Sequence, residues 1–148
     1  MAYNRDIVFR LNGNQQFVVT VNGISDVIDG MEFFHSLGVQ RRVTAAATDA
    51  GDNLALYMQT TYDRGANWVD VCRFAEVAGN ATVPVQQVYT HSDAGDVDAG
   101  FLVTGDIALA ASANVDITLG YALRLKWVIT DANANASYTF TVNGLARG

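Results

Sequence analysis

From Asn53 to Val77 the chain reads NLALYMQTTYDRGANWVDVCRFAEV, and this stretch limits the fold more than any other. Leu54, Leu56 and Met58 alternate with Ala55, Tyr57 and Gln59. After the turn Asp63-Arg64-Gly65-Ala66-Asn67, Trp68, Asp70, Cys72 and Phe74 alternate with Val69, Val71 and Arg73. A period of two on both sides of a turn is the pattern of a long β-hairpin, because successive strand side chains point to opposite faces. The turn supplies an acidic acceptor where the chain bends and, in Gly65, a residue free to take a positive φ.

Composition extends this reading to the whole chain. Of nine basic residues only Lys126 is a lysine, and of fifteen acids only Glu32 and Glu76 are glutamates. A chain that nearly omits the good surface helix formers while using Val, Thr, Tyr, Phe and Asn freely is predicted to be all-β. The 148 residues fit one domain, residues 1–148, with or without an N-terminal arm; a chain this long buries roughly two thirds of its unfolded surface. The lone cysteine, Cys72, excludes an intrachain disulfide and is expected to be a buried, inert thiol in a protein made in a reducing compartment. The first residues lack the apolar core of a secretion signal, and no apolar run approaches the roughly 18 residues a membrane span needs. No membrane partner is expected. The net charge of −6, with no basic cluster larger than Arg41-Arg42, argues against nucleic acid. Scarcity of Lys and Glu beside abundant Arg and aromatics is also the signature of a surface covered in use, or of lineage bias in composition.

The remaining segments fit the same class. Ile7–Leu11 and Phe17–Val21, separated by Asn12-Gly13-Asn14, are predicted as a hairpin or a pair of sheet-switching strands. Residues 24–38 read as a connection, with Met31–His35 a single helical turn or an edge strand, holding one buried aromatic pair, Phe33 and Phe34. Val39–Ala47 is a strand with Arg41, Val43 and Ala45 on one face. Thr82–Thr90 is extended, with Pro84 marking an edge or a strand start. Short strands are expected at Phe101–Thr104 and Ile107–Ala111. Leu119–Thr130 places Tyr121, Leu123, Leu125, Trp127 and Ile129 on one face, and a final strand carrying Tyr138, Phe140 and Val142 closes at Asn143-Gly144. Eight or nine strands with no long helix predict an antiparallel β-sandwich, jelly-roll-like, with an open-ended barrel as the alternative.

Chemistry is sparse. Asp93, Asp96 and Asp98, interleaved with Gly95 and Gly100, are the candidate cation loop, but their spacing is not that of a calcium loop and no glutamate closes it. His35, His91 and Cys72 match no zinc spacing. His91-Ser92-Asp93 sets triad residue types side by side, whereas triads assemble from distant segments. Glycosidase chemistry needs a desolvated carboxyl, and the acids fall mainly in glycine-rich loops expected to be wet; Glu76 is the one glutamate that merits inspection. No catalytic residue, metal ligand or cofactor is assigned, and no enzyme activity is expected. Tyr57, Tyr62, Trp68, Tyr89, Tyr121 and Trp127 could stack on a sugar, although at period two most such rings are core.

Thr61-Tyr62-Asp63-Arg64-Gly65-Ala66-Asn67-Trp68 resembles the Asp-box, S/T-x-D-x-G-x-T-W, departing from it at Asn67. The resemblance implies a folding element in which Asp63 satisfies turn amides and Trp68 packs beneath. A buried Trp68 would make Trp68→Ala cost about 3 to 5 kcal/mol. More broadly, the 54–77 stretch together with GYALRLKWVITDA and ASYTFTVNGLA is similar to small β-sandwich virion proteins of tailed bacteriophages, the capsid cement or decoration proteins. That resemblance implies a jelly-roll-like protein made in the host bacterial cytoplasm. It would form a homo-oligomer, dimer or trimer, and clamp the major capsid protein on the virion surface. A carbohydrate-binding or adaptor module of a phage tail or baseplate is the alternative, and it requires aromatics exposed on a loop rim or flat face.

Overall fold

The computed structural model describes residues 6–13, 15–92, 119–132 and 134–148. Among them run β1 (Asp6–Arg10), β2 (Phe17–Val19), β3 (Gly23–Ile24), β4 (Ile28–Asp29), a 3-10 turn (Met31–Phe33), β5 (Ser36–Ala45), β6 (Asn53–Thr61), β7 (Val69–Arg73), β8 (Val77–Ala78), β9 (Val85–Ser92), β10 (Ala122–Thr130) and β11 (Tyr138–Arg147). They form two antiparallel sheets. The first has the order β1-β11-β5-β9, with β2 also on β11; the second has the order β3-β10-β6-β7, with β4 on β10 and β8 on β6. The fold is therefore all-β, a jelly-roll-like antiparallel sandwich, and among the described residues the two sheets share no strand, as a closed barrel would require. Eleven described strands exceed the eight or nine expected, because β3, β4 and β8 are two-residue bridges too short to show alternation.

Alternation sets the packing. Leu54, Leu56 and Met58 of β6, with Leu123 and Leu125 of β10, face Val39 and Val43 of β5 and Tyr138, Phe140 and Val142 of β11, and all belong to one buried cluster. Phe140 lies at its centre, stacked on Phe17 at 5.1 Å and edge-on to Trp127 at 6.2 Å. Trp127 packs against this cluster and donates its indole N–H to the Val21 carbonyl at 2.9 Å. Arg41, on the core face of β5, is also buried, with its guanidinium over the Phe74 ring. Burial pulls that guanidinium down to about 10, and Tyr89 beside it acts in the opposite direction.

Several expectations give way to the structure. β1 and β2 do not form a hairpin: β1 pairs with residues 143–147 of β11 and β2 with residues 138–140, so they are collinear pieces of one broken edge. Phe34 is buried but Phe33 is 60% exposed, because the 3-10 turn points successive side chains in different directions. β11 runs through Asn143-Gly144 to Arg147 rather than ending there. Gly144 sits opposite Phe9 of β1, and a Cβ on it would lie 2.0 Å from Phe9 Cζ. That glycine makes room for a ring instead of turning the chain.

The hairpin at 53–77 pairs as expected at its open end, but its register shifts between Met58 and Gln59. Asp70 pairs with Gln59 and Cys72 with Met58, leaving Val71 as the extra residue of a bulge. The bulge puts Asp70 on the outer face and Cys72 on the inner, so the single alternation expected for Trp68, Asp70, Cys72 and Phe74 breaks.

Cys72 is buried, and burial pushes its thiol from 9.0 up to about 12. In the native protein it should resist iodoacetamide at pH 8 and react fully in denaturant. Because the folded pKa exceeds the unfolded one, the stabilisation is complete below about pH 9 and is lost as pH rises towards about 12. The urea midpoint should fall over that window, and Cys72→Ala should remove part of the slope.

Candidate functional site

The Asp63 turn is built from its own side chains. Thr61 Oγ1 donates to Asp63 Oδ1 at 2.9 Å and accepts the Gly65 N–H at 2.8 Å. Asp63 Oδ1 accepts the Asn67 main-chain N–H at 2.8 Å, and Oδ2 accepts the Asn67 side-chain amide at 2.6 Å. Asn67, where the sequence departs from the Asp-box, thus adds a second donor to the carboxylate. Arg64 and Gly65 both have positive φ, 59° and 97°, a conformation that is uncommon for arginine and easy for glycine. The Asn67 main-chain N–H, then its side-chain amide, hold the Asp63 carboxyl below its ordinary value. A depressed carboxyl contributes stability that is present above its unfolded pKa and lost as pH falls through the folded one. The melting-temperature gap between the native chain and Asp63→Asn should therefore narrow on acidification.

Trp68 is half-buried rather than sunk in the core. Its indole N–H donates to the Gly65 carbonyl at 3.2 Å, and the Arg124 guanidinium lies 4.2 Å above its ring. Loss of this ring removes a surface stack, so its deletion falls below the range for a buried tryptophan.

Trp68 opens a cleft of about 560 Å³. The turn supplies Arg64 and Gly65 to one wall, the end of β6 and start of β10 supply Thr61, Tyr121, Ala122 and Arg124, and the β4 segment supplies Asp29, Gly30 and Glu32. Tyr121, expected on the core face of its strand, is 41% exposed and lies beneath the Arg64 guanidinium at 5.4 Å. Arg124 is held from behind: its Nε donates to Gln59 Oε1 at 2.9 Å, and Gln59 Nε2 donates to Asp70 Oδ1 at 2.8 Å. Burial pulls this guanidinium below its ordinary value against the attraction of Asp70. Of these residues, sequence reasoning singled out Trp68, Gly65 and Tyr121. Arg64, Arg124, Asp29 and Glu32 converge from three separate segments, and no spacing within the chain signals that.

The second feature is the outer face of the first sheet. One row across it reads Val8, Leu145, Gly38 and Thr90, the next Arg10, Asn143, Gln40 and Val88, and a third Thr141, Arg42 and Gln86. Val8 is 71% and Val88 60% exposed. Asp6 is paired with Arg147 across the end of this face. In these rows an acidic chain presents arginines, amides and β-branched residues, and a shallow groove runs past Gly38, Val88 and Leu145.

Other candidates fall elsewhere. Asp93, Asp96 and Asp98 lie outside the described residues, as do the strands expected at 101–111. Glu76 pairs with Arg73 and accepts from the Asn53 amide on the exposed rim of the second sheet. Tyr57 is buried on the outer face of that sheet beneath Arg73 and Lys126, and Tyr89 packs on Phe74 at 5.2 Å. Asp52, in the loop before β6, is only 1% exposed: its carboxylate accepts the Ala132 N–H and its carbonyl accepts the Gly79 N–H, tying three loops together. Among the described residues, no group of three or more His, Cys, Asp or Glu side chains is arranged to hold a metal ion.

Fold and surface together define a two-sheet, jelly-roll-like sandwich with an open sheet face and a cleft at one end. No protein-family model matches the sequence, and no curated protein matches it. Among solved structures, the chain is similar to one in the infectious bursal disease virus Gx strain, with a TM-score of 0.54 and 12% identity over 99% of this chain and 32% of that one. A chain of the VP2 subviral particle of the same virus aligns over 98% of this chain and 32% of its own length, with a TM-score of 0.47 and 13% identity. The chain thus spans about a third of the viral chains it resembles, and the likeness at this identity is one of fold.

Proposed function

We propose that this chain is a structural virion protein that attaches to a capsid lattice as a cement or decoration protein of a tailed bacteriophage. The observation that carries the reading is the outer face of the first sheet. Its exposed valines, its amides and its Arg10 and Arg42 form a broad surface suited to a neutral or acidic protein partner, with little charge to desolvate at its centre. The fold, shared with a chain of a virus particle, supports the same reading, as does the likeness of the segments 54–77, 120–132 and 136–146 to phage β-sandwich virion proteins. Attachment as a dimer or trimer would let weak single contacts sum. The partner is the major capsid protein, and the location is the virion surface after synthesis in the host bacterial cytoplasm.

The test is co-sedimentation of the purified protein with expanded capsids assembled from the major capsid protein encoded alongside it, with light scattering to read its oligomeric state. Saturable binding at a fixed number of copies per capsid is expected, abolished by Val88→Lys with Arg42→Glu in a variant that still melts cooperatively. Absence of saturable binding, or binding that this double variant leaves intact, overturns the proposal.

A further inference from the structure

The cleft beside the Asp63 turn has no part in attachment through the first sheet, since it is built from the turn, the start of β10 and the β4 segment of the second sheet. Its size, about 560 Å³, lies in the range of small-ligand sites. Its lining combines two kinds of group. Trp68 and Tyr121 offer partly exposed aromatic surface, each ring already held in place by an arginine, Arg124 at 4.2 Å and Arg64 at 5.4 Å. Asp29 and Glu32 line the same cleft and are exposed, and no ion pair engages either among the described residues. Both carboxylates and both guanidinia are planar groups that can meet two neighbouring polar atoms at once.

We infer that this cleft binds a neutral oligosaccharide. The two acids and two arginines balance in charge, so neither an anionic nor a cationic ligand is favoured. An uncharged ligand that is dense in hydroxyl groups uses carboxylates as acceptors and guanidinia as donors. Sugar rings also present an apolar C–H face of the kind that packs on aromatic surface. Pre-organisation is already in place: the Gln59–Asp70 relay fixes Arg124, and the side-chain-bonded turn holds Arg64 in its left-handed conformation over Tyr121. Side chains that are ordered before binding lose little entropy when the ligand arrives. A glycan site at the end of a sandwich whose first sheet faces elsewhere leaves both surfaces usable at once.

The test applies the intact protein to an array of neutral and acidic oligosaccharides and a library of short peptides, followed by calorimetric titration with the best ligand. At least one neutral oligosaccharide should bind saturably. Tyr121→Ala and Glu32→Gln alter exposed side chains and should leave the melting temperature unchanged while weakening binding by about tenfold or more. Arg124→Lys, which keeps the charge but loses the planar fork, should weaken it as well. The inference is overturned by an array without neutral glycan binding, by preference for acidic glycans or peptides, or by glycan binding indifferent to Tyr121 and Glu32. Capsid attachment by the same variants is unaffected in every case, so this outcome is separable from the test of the sheet face.

Discussion

Phe140→Ala should lower the free energy of unfolding by about 3–5 kcal/mol, the range found when a large buried aromatic is truncated and its space cannot collapse. Phe140 has no exposed surface, stacks on Phe17 and meets Trp127 edge-on, so its ring joins the broken edge of the first sheet to β10 of the second. β2 is held to β11 by only three pairs, one of them Phe140 with Phe17. Loss of the ring should therefore free residues 17–19 as well as open a cavity. Urea unfolding gives the magnitude, and hydrogen exchange at Val18 and Val19 should rise first. A cost below about 1 kcal/mol would mean that the sheets repack without this contact and that the centre of the core lies elsewhere.

The second large effect is expected at the crossing of β1 and β11. Gly144→Ala places a methyl group 2.0 Å from Phe9 Cζ, too close for the ring to remain where it packs. Overpacking of this kind costs about 1–3 kcal/mol. Phe9→Ala alone removes a buried ring from the same place. The two losses should not add: with the ring gone, the atoms the methyl would strike first are absent, and the double variant should be more stable than the sum of the singles by at least about 1 kcal/mol. Additive losses would show that Gly144 is required for its backbone conformation instead of for the space above it.

Gly144 also shows where sequence reading stops. Asn-Gly carries the same local signature whether it turns a chain or lets a ring from a neighbouring strand approach, and only the register with β1 separates the two. Strands whose two faces differ, such as residues 54–58 and 123–129, were legible because alternation is a property of the strand itself. The collinear β1 and β2 were not, since turn residues between two apolar runs suggest that the runs pair with each other, whereas both pair with β11. The bulge at Val71 was hidden for a related reason: one extra residue swaps faces without altering composition. In the cleft, the turn that carries Trp68 was visible as a motif, but its partners Tyr121, Arg124, Asp29 and Glu32 come from distant segments. Tyr121 reads as core by period, and it is exposed because β10 begins one residue later, at Ala122.

The position of β11 affects how the protein is made. β1, β2 and β5 all pair with it, and it is the last of the described strands to leave the ribosome. The β6–β7 hairpin can close as soon as its turn is synthesised. The first sheet, in contrast, leaves β1 and β2 without their partner β11 until residues 138–147 have been made. Pairings this distant in sequence form slowly. Through that interval Phe9 and Phe17 face water on unpaired edges, the condition that invites association between nascent chains. Yield in the cell should therefore depend on chaperone supply and on the rate of translation through residues 138–147 more than on the stability of the finished fold.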